Sequence, residues 1–343
     1  MAFARESQRS AQDDKGVSAC YSLPDMRAAV IFGLGSYEKD LKPFQEDSRD
    51  TWLIGLPASA SEADAILIFG GDGTVHRHLA QLVKLQLPVL VVPCGSGNDF
   101  ARALGLRKTN DSLAAWKKFA SEGSNVRTID LGIIKPQRLK PSELGGSDRS
   151  AEALRHPIPS PSPTQHYFCC VGGVGLDGEV ARRANQLPRW LRGHGGYVVS
   201  LPPALFRFVP LRMKISIPGD EDSSSFVVRS EQPTILAVFA NTSTYGGGMK
   251  IAPRARMDDG QLDVCLIRDL NKLKLFCLFP TIYFGGHLRM PEVEYFQAER
   301  LWIETERPLD VYADGEYVCK TPIDVQVARD ALRVIVHPSH TSF

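Results

Sequence analysis

The sequence lacks most of the features that would commit it to a specialised class. No run approaches the ~20 apolar residues a membrane-crossing helix requires, so any dealing with a bilayer is expected at its surface. Neither charge dominates: 40 Lys and Arg against 39 Asp and Glu leave a net charge of +1. A global field therefore gives no argument for nucleic acid or an anionic surface. The seven cysteines follow neither metal-ligand nor disulfide spacing. Cys169-Cys170, a vicinal pair on an apolar run, reads as two reduced core thiols, which suits a reducing cytosol. Residues 1–25 are polar and carry no apolar leader, so they read as a tail without a signal peptide. Internal repeats, the Gly-x-x-x-x-Gly-Lys-Ser/Thr loop and the Gly-x-Gly-x-x-Gly turn are all missing.

What is present begins with alternating strand and helix signals. Arg27–Gly33 and Ala65–Phe69 are continuous apolar runs, as is Pro88–Pro93, and each reads as a buried parallel strand. Helices are predicted over about 74–86, around Phe100–Leu104 and over about 111–121, with a further strand at Val126–Leu131. Residues 36–64 have weak periodicity and no placed elements. This first stretch is α/β with a parallel sheet. At 136–165 proline, serine and charge take over, marking an insertion near a domain boundary or within one hairpin. From Tyr167 the texture is mostly β, with short runs at 167–171, 212–217, 225–228, 234–240, 262–267, 301–304, 309–313 and 332–337. Helical candidates at 195–208 and 272–286 interrupt it. A mainly antiparallel sandwich or barrel is expected here.

The richest feature is Gly70-Gly71-Asp72-Gly73-Thr74, set between the strand at 65–69 and the amphipathic run Val75–Val83. Glycines let main-chain N–H groups approach an anion, and a helix behind them adds unpaired N–H groups and the positive end of its dipole. Asp72 is the odd member, because a carboxylate repels phosphate unless a cation lies between them. A second loop, Cys94-Gly95-Ser96-Gly97-Asn98-Asp99, follows the next strand and reaches the same sheet edge, where ligands of open α/β sheets bind. Ser96 can donate to phosphate, Asn98 suits an N-cap or a polar ligand contact, and Asp99 brings a second carboxylate near Asp72. Two carboxylates near a triphosphate suit Mg²⁺, held directly or through water. His76 and His78 fall on different helix faces and do not suggest a shared metal; they read as solvated or as polar groups of a nucleotide site.

Together, the 70–74 turn and Pro93–Arg102 resemble the diacylglycerol kinase catalytic-domain family, in its bacterial soluble branch. Sphingosine and ceramide kinases share that domain, and NAD kinases share the first motif only. Tyr245–Pro253, Asp258–Val264, His287-Leu288 and Ala313-Asp314-Gly315-Glu316 extend the resemblance to nearly all of the chain outside the tail and the 136–165 insertion. Gly172–Asp177 resembles a further family motif, although a β-turn explains it nearly as well. The family's nucleotide-contacting threonine upstream of Ala65 has no clear equivalent here.

The resemblance implies two domains with the active site between them. These are a nucleotide-binding α/β domain with a parallel sheet over 26–134 and a larger, antiparallel, β-sandwich-like lipid-substrate domain over 167–320. The 135–166 insertion separates them, and a C-terminal segment, 321–343, could return to the first. It implies ATP as phosphate donor, contacted by Gly70, Gly71, Asp72, Gly73, Thr74, Val75, His76, Gly95, Ser96, Asn98 and Asp99. Glu316 is implied as the base, with Asp72 also catalytic, and Asp72, Asp99 and Asp130 as a network around the catalytic Mg²⁺. A second, structural metal site is implied at the Asp259 side chain and the carbonyls of Arg256 and Gln261. The expected protein is a cytoplasmic lipid kinase working peripherally at a membrane and making phosphatidic acid from diacylglycerol or phosphorylating a similar lipid. It would bind no nucleic acid, and a homodimer is left open. Rival readings are a sphingoid-base, ceramide or NAD kinase and a non-catalytic nucleotide or lipid sensor; the second glycine loop and the Asp-Gly-Glu run disfavour NAD. Tyr197–Phe208, with arginines at 189, 192 and 207, and Leu273–Phe279 could each shape an acyl groove or touch a bilayer, but ordinary core helices are the simpler reading.

Overall fold

A computed structural model describes residues 25–46, 49–137, 165–176, 178–180, 183, 208–219 and 225–340. The 1–24 tail, most of the 136–165 insertion and the helix expected over 195–208, apart from Phe208, lie outside the described residues.

The first half is built on β1 (Arg27–Phe32), β2 (Thr51–Ile54), β3 (Ala65–Gly70) and β4 (Val89–Pro93). They are parallel in the order β2-β1-β3-β4. All six residues of β3 are buried, as expected of a central parallel strand covered on both faces. The covering helices include α1 (Lys42–Gln45), α2 (Asp72–Leu85), α3 (Asp99–Ala103) and α4 (Thr109–Glu122). On α2, Val75, Leu79 and Leu82 recur at helical spacing and sit in the core. The unplaced 36–64 stretch contains a 3₁₀ turn, α1 and β2; β2 is mostly exposed, which is why it carries no hydrophobic signal.

The second half is antiparallel. β5 (Val126–Pro136) pairs with β6 (His166–Phe168), so the 136–165 insertion decorates one hairpin. Next come β7 (Val171–Gly175), β8 (Leu211–Pro218), β9 (Phe226–Ala240), β10 (Leu262–Arg268), α5 (Lys272–Ile282), β11 (Val293–Ala298), β12 (Arg300–Thr305), β13 (Asp310–Ala313), β14 (Glu316–Lys320) and β15 (Ile323–Ile335). Phe168, Phe239, Leu301, Ile303, Val311 and Val325 belong to a buried cluster separate from that of the parallel sheet.

Several expected elements are redrawn. The runs at 225–228 and 234–240 are a single strand, β9, continuing through Pro233. Pro233 sits where β9 passes from β8 on one side to β7 and β10, so its missing N–H falls near the end of a ladder. The 167–171 run is two strands separated by a bend at Cys169-Cys170. Gly172–Gly175 lies in β7 rather than in a β-turn.

β15 joins the two halves. It pairs antiparallel with β12 and along its length with β5, and it meets β4 in parallel at Val334–Val89. The result is a 15-stranded sheet in which the parallel and antiparallel portions are continuous.

Candidate active site

Because β1, β3 and β4 are parallel neighbours, the loops after them open at one edge. The loops at 70–74 and 94–98 touch main chain to main chain: a Cβ on Gly95 would stand 2.5 Å from Gly71 Cα, so only glycine permits the approach. Cys94 N donates to Gly70 O at 3.1 Å across the same junction. A third loop, Gly33–Ser36, lies beside them; Ser36 Oγ donates to Phe69 O at 2.7 Å, and a Cβ on Gly33 would collide with Thr74. Glycine density marked the first two loops. The third has only two glycines and a buried serine, a signal too weak to isolate in the sequence.

The carboxylates expected around a polyphosphate are engaged by main chain. Asp72 Oδ2 accepts Asp99 N and Oδ1 accepts Phe100 N, each at 3.0 Å, so Asp72 caps α3 from a different element. Burial first, and then the charges of Asp99 and Asp314, push its carboxyl up to about 6 against the pull of those two bonds. Asp99, also buried, accepts Gly247 N at 2.9 Å and pairs with Arg102. Burial raises its pKa; Gly247 and Arg102 oppose the rise. Gly246, Gly247 and Gly248 all have positive φ, so the Tyr245–Met249 turn is shaped to present an N–H to Asp99.

Asn98 stands at the N-cap position of α3 but does not cap it. Its Oδ1 accepts Gly95 N at 3.0 Å and its Nδ2 donates to Gly95 O at 2.7 Å, which closes the loop on itself. Ser96 is exposed on the rim, and Val75 and Thr74 are buried. Val75 therefore offers a ligand its main chain and no side chain.

The Asp-Gly-Glu run arrives from the second half. Asp314 and Gly315, with φ of +51° and +82°, form the two-residue connection of the β13–β14 hairpin, and Glu316 is the first residue of β14. Asp314 is a hub rather than a solvated turn former. Its Oδ1 accepts Cys170 N at 2.8 Å and its Oδ2 accepts Cys169 N at 2.9 Å, while His76 Nδ1 lies 3.0 Å from Oδ2. His76 thus fastens α2 to the hairpin. Burial lowers its pKa, but the Asp314 bond, then the charges of Asp314 and Glu316, outweigh this and the net shift is upward. The hairpin lays Glu316 against α2, with Oε1 at 2.7 Å from the position a Cβ on Gly73 would take. The carboxylate therefore sits at the positive end of the α2 dipole, beside the 70–74 loop. His78 stays on the outer part of the helix, facing Gln81 at 3.4 Å.

Asp130 is engaged by other main chain. Buried, it accepts Asp330 N at 2.8 Å and Gly260 N at 2.7 Å, and so pins the left-handed residue Asp330 of β15 to the 258–261 turn. Both oxygens serve main chain, and no contact groups Asp130 with Asp72 or Asp99. At the other expected metal site, Arg256 pairs with Asp258, Asp259 accepts Gln261 N at 3.0 Å, and Gln261 Nε2 donates to Glu299. Gln297 Nε2 spans Asp259 and Asp263, 3.3 Å from each. Asp263 is fully buried; burial raises its pKa, and the Asp259 charge adds to the rise. The Tyr295 hydroxyl also donates to Asp263 Oδ1 at 2.6 Å; the two carboxylates of like charge supply hard oxygens of the kind a divalent cation such as Mg²⁺ or Ca²⁺ takes. The sequence reading named Asp259 as a ligand and held Asp263 only as part of the Asp258–Val264 run.

A parallel sheet with a glycine-loop edge, facing an antiparallel unit that delivers a carboxylate to the helix behind the loop, defines a two-part anion-handling fold. Two family models match the chain: the diacylglycerol kinase catalytic domain over residues 45–134, and the YegS C-terminal NAD kinase beta sandwich-like domain over 171–336. A diacylglycerol kinase of Mycobacterium tuberculosis (strain ATCC 25618 / H37Rv) is 32% identical over 294 residues, covering 86% of this chain and 83% of that protein. A diacylglycerol kinase of Bacillus subtilis (strain 168) is 26% identical over 262 residues, covering 76% and 73%. In fold, the chain is similar to a solved diacylglycerol kinase structure from Bacillus anthracis str. Sterne, with a TM-score of 0.59 at 19% identity, covering 92% of this chain and 98% of that one. The chain belongs to the diacylglycerol kinase catalytic-domain family.

Proposed function

We propose that this protein is an ATP-dependent lipid kinase, transferring the γ-phosphate to the hydroxyl of diacylglycerol or a similar lipid, at a membrane surface approached from the cytoplasm. The observation that carries this reading is the placement of Glu316 against Gly73, at the start of α2 and beside the touching glycine loops. An acceptor hydroxyl next to Glu316 and a polyphosphate on the loops would then be neighbours, which is most of what phosphoryl transfer asks of a protein.

In this mechanism the main-chain N–H groups of the 70–74 and 95–98 loops hold the phosphates, and the N-terminus of α2 stabilises their charge. Glu316 takes the proton as the lipid oxygen forms its bond to the γ-phosphorus. The bond from that phosphorus to the β–γ bridging oxygen breaks, and ADP leaves. Asp314, locked by His76 and by the N–H groups of Cys169 and Cys170, fixes the hairpin that carries Glu316. Mg²⁺, when bound, would neutralise phosphate charge. Asp72 and Asp99 are suited to stand near it, since burial and then the neighbouring Asp99 charge lift Asp72 to about 6, and each carboxylate retains unused lone pairs. Asp130 supports this arrangement from a distance by tying β15 to the 258–261 turn. Asp259 and Asp263 suit a separate structural cation.

The test is transfer of labelled γ-phosphate from ATP, with Mg²⁺, to a panel containing diacylglycerol, a sphingoid base, ceramide and NAD. Labelled phosphatidic acid, formed from the diacylglycerol, is the expected product. Transfer to NAD without transfer to any lipid would sink the reading. Nucleotide binding without any transfer would favour a sensor.

A further inference from the structure

Beyond Lys272 and Lys274 in its first turn α5 is almost wholly apolar, and helices of that kind are normally buried. This one is not. Leu275, Leu278 and Ile282 pack inward, whereas Leu273 and Phe276 are 74% and 53% exposed and Phe284, just past the helix end, is 86% exposed. Cys277 and Pro280 are exposed as well. At about 100° per residue, positions 273, 276, 277, 280 and 284 fall within an arc of about 100° opposite the buried set, so they form one continuous stripe.

The charge around the stripe is mostly positive, with Glu292 the acidic exception, paired with Lys274 at 2.8 Å. Between Asp269 and Glu292 the sequence holds no Asp or Glu, while Lys272, Lys274 and Arg289 are all present and exposed. Exposed Lys250 lies at the far end, its N–H donating to Ile282 O at 3.2 Å. An apolar stripe rimmed by cations matches the interior and the anionic headgroups of a bilayer surface. Among the described residues, no helix is long and apolar enough to cross a membrane, so contact of this kind is interfacial.

The stripe also adjoins the candidate site. The segment that follows Lys250 back to Tyr245 contains Gly247, whose N–H binds Asp99. The other face of the glycine loops is therefore only one short turn from the end of α5.

From this juxtaposition we propose that the exposed face of α5, continued by Phe284, is the surface by which the protein docks on an anionic lipid bilayer, holding the glycine-loop mouth at the headgroup level. The proposal rests on the lipid-kinase reading for its purpose but not for its measurement.

Sedimentation with vesicles of phosphatidylglycerol and phosphatidylcholine, against vesicles of phosphatidylcholine alone, reads the docking directly. The wild-type protein is expected to bind the anionic vesicles better, and less well at high salt. The variant Leu273→Ser/Phe276→Ser/Phe284→Ser alters exposed side chains only, and an unchanged melting curve confirms its fold. Its partitioning is expected to fall by about tenfold or more. Independently, Phe284→Trp should shift its emission to the blue on anionic vesicles and be quenched by bromine-labelled acyl chains. Binding of the triple variant equal to wild type, or no vesicle binding by wild type, overturns the proposal. So does a wild-type dimer that the triple variant converts to monomer, since the stripe would then face a second copy.

Kinase assays separate the two readings. The triple variant should keep its rate on a short-chain, monomeric diacylglycerol and lose rate only on lipid embedded in vesicles. Vesicle binding through the stripe with no lipid phosphorylated in either form would reject the kinase and leave the docking surface standing. Equal rates of both proteins on embedded lipid would reject the docking surface and leave the kinase.

Discussion

His76 Nδ1 lies 3.0 Å from Asp314 Oδ2, a contact between residues 238 apart in sequence that locks the helix behind the glycine loop to the hairpin bearing Glu316. The Nδ1–H donates to the carboxylate, which leaves Nε2 as the position that gains or loses the titrating proton.

This pair should make stability depend on pH. The folded-state pKa of His76 is raised above the ordinary imidazole value, so the pair contributes fully below the unfolded value and is lost as pH rises through the raised folded value. Thermal unfolding followed from pH 6 to 9 should show wild type losing more stability than His76→Gln over that window. Parallel curves for the two proteins would mean that the pair contributes nothing to the pH dependence.

Glu316→Gln keeps the size and hydrogen-bonding reach of the side chain but cannot accept the hydroxyl proton. Turnover on lipid should fall by about 10²–10⁴-fold, while ATP affinity, measured by calorimetry, should change little. Near-wild-type turnover would remove Glu316 from the role of base.

Gly95→Ala tests the contact between the two loops. Its Cβ would stand 2.5 Å from Gly71 Cα, an approach that main chain cannot yield to without moving a loop. A loss of about 1–3 kcal/mol in denaturant unfolding, together with weaker nucleotide binding, is the expected outcome. Unaltered nucleotide affinity would show that the loops do not act as a pair.

Asp130→Ala separates a positioning role from a direct one. Two N–H groups, those of Asp330 and the buried Gly260, lose their acceptor, and the buried one alone should cost about 1–3 kcal/mol. ATP affinity of the surviving folded protein should stay near wild type. A large fall in affinity with stability intact would place Asp130 at the nucleotide instead.

Adding Mg²⁺ without nucleotide should raise the melting temperature of wild type, and Asp259→Ala should abolish the rise, because Asp259 and Asp263 then no longer present a paired charge. An equal rise in both proteins would locate the stabilising cation elsewhere.

Much of this architecture was legible because it rests on local signals. The apolar runs of β3 and β4, the glycine loops after them and the change of texture past Tyr167 each follow from residues near one another in sequence. What escaped depends on partners far away. β2 is mostly exposed, and no apolar pattern marks it. Pro233 read as a break because the sequence does not show that β9 is changing neighbours there. For the site, motif order pointed to Asp72, Asp99 and Glu316, yet nothing local could show that Asp72 binds the first N–H groups of α3, or that the hairpin aspartate, Asp314, would be buried against His76. Nor could any local signal show that Asp130, at the end of a strand run, would hold the main chain of Asp330 and Gly260.

β15 has a consequence for how the protein is made. Its residues are synthesised after those of every other described strand, yet they pair with β4 in one half and with β5 and β12 in the other. While the chain is still on the ribosome, the parallel sheet ends at an open β4 edge and the long β5 strand has only the short β6 beside it, its other edge open. Neither half can close alone. Emergence of this last strand should therefore act as the committing step of assembly, and nascent chains stalled before residue 323 should expose both edges to chaperones or to one another.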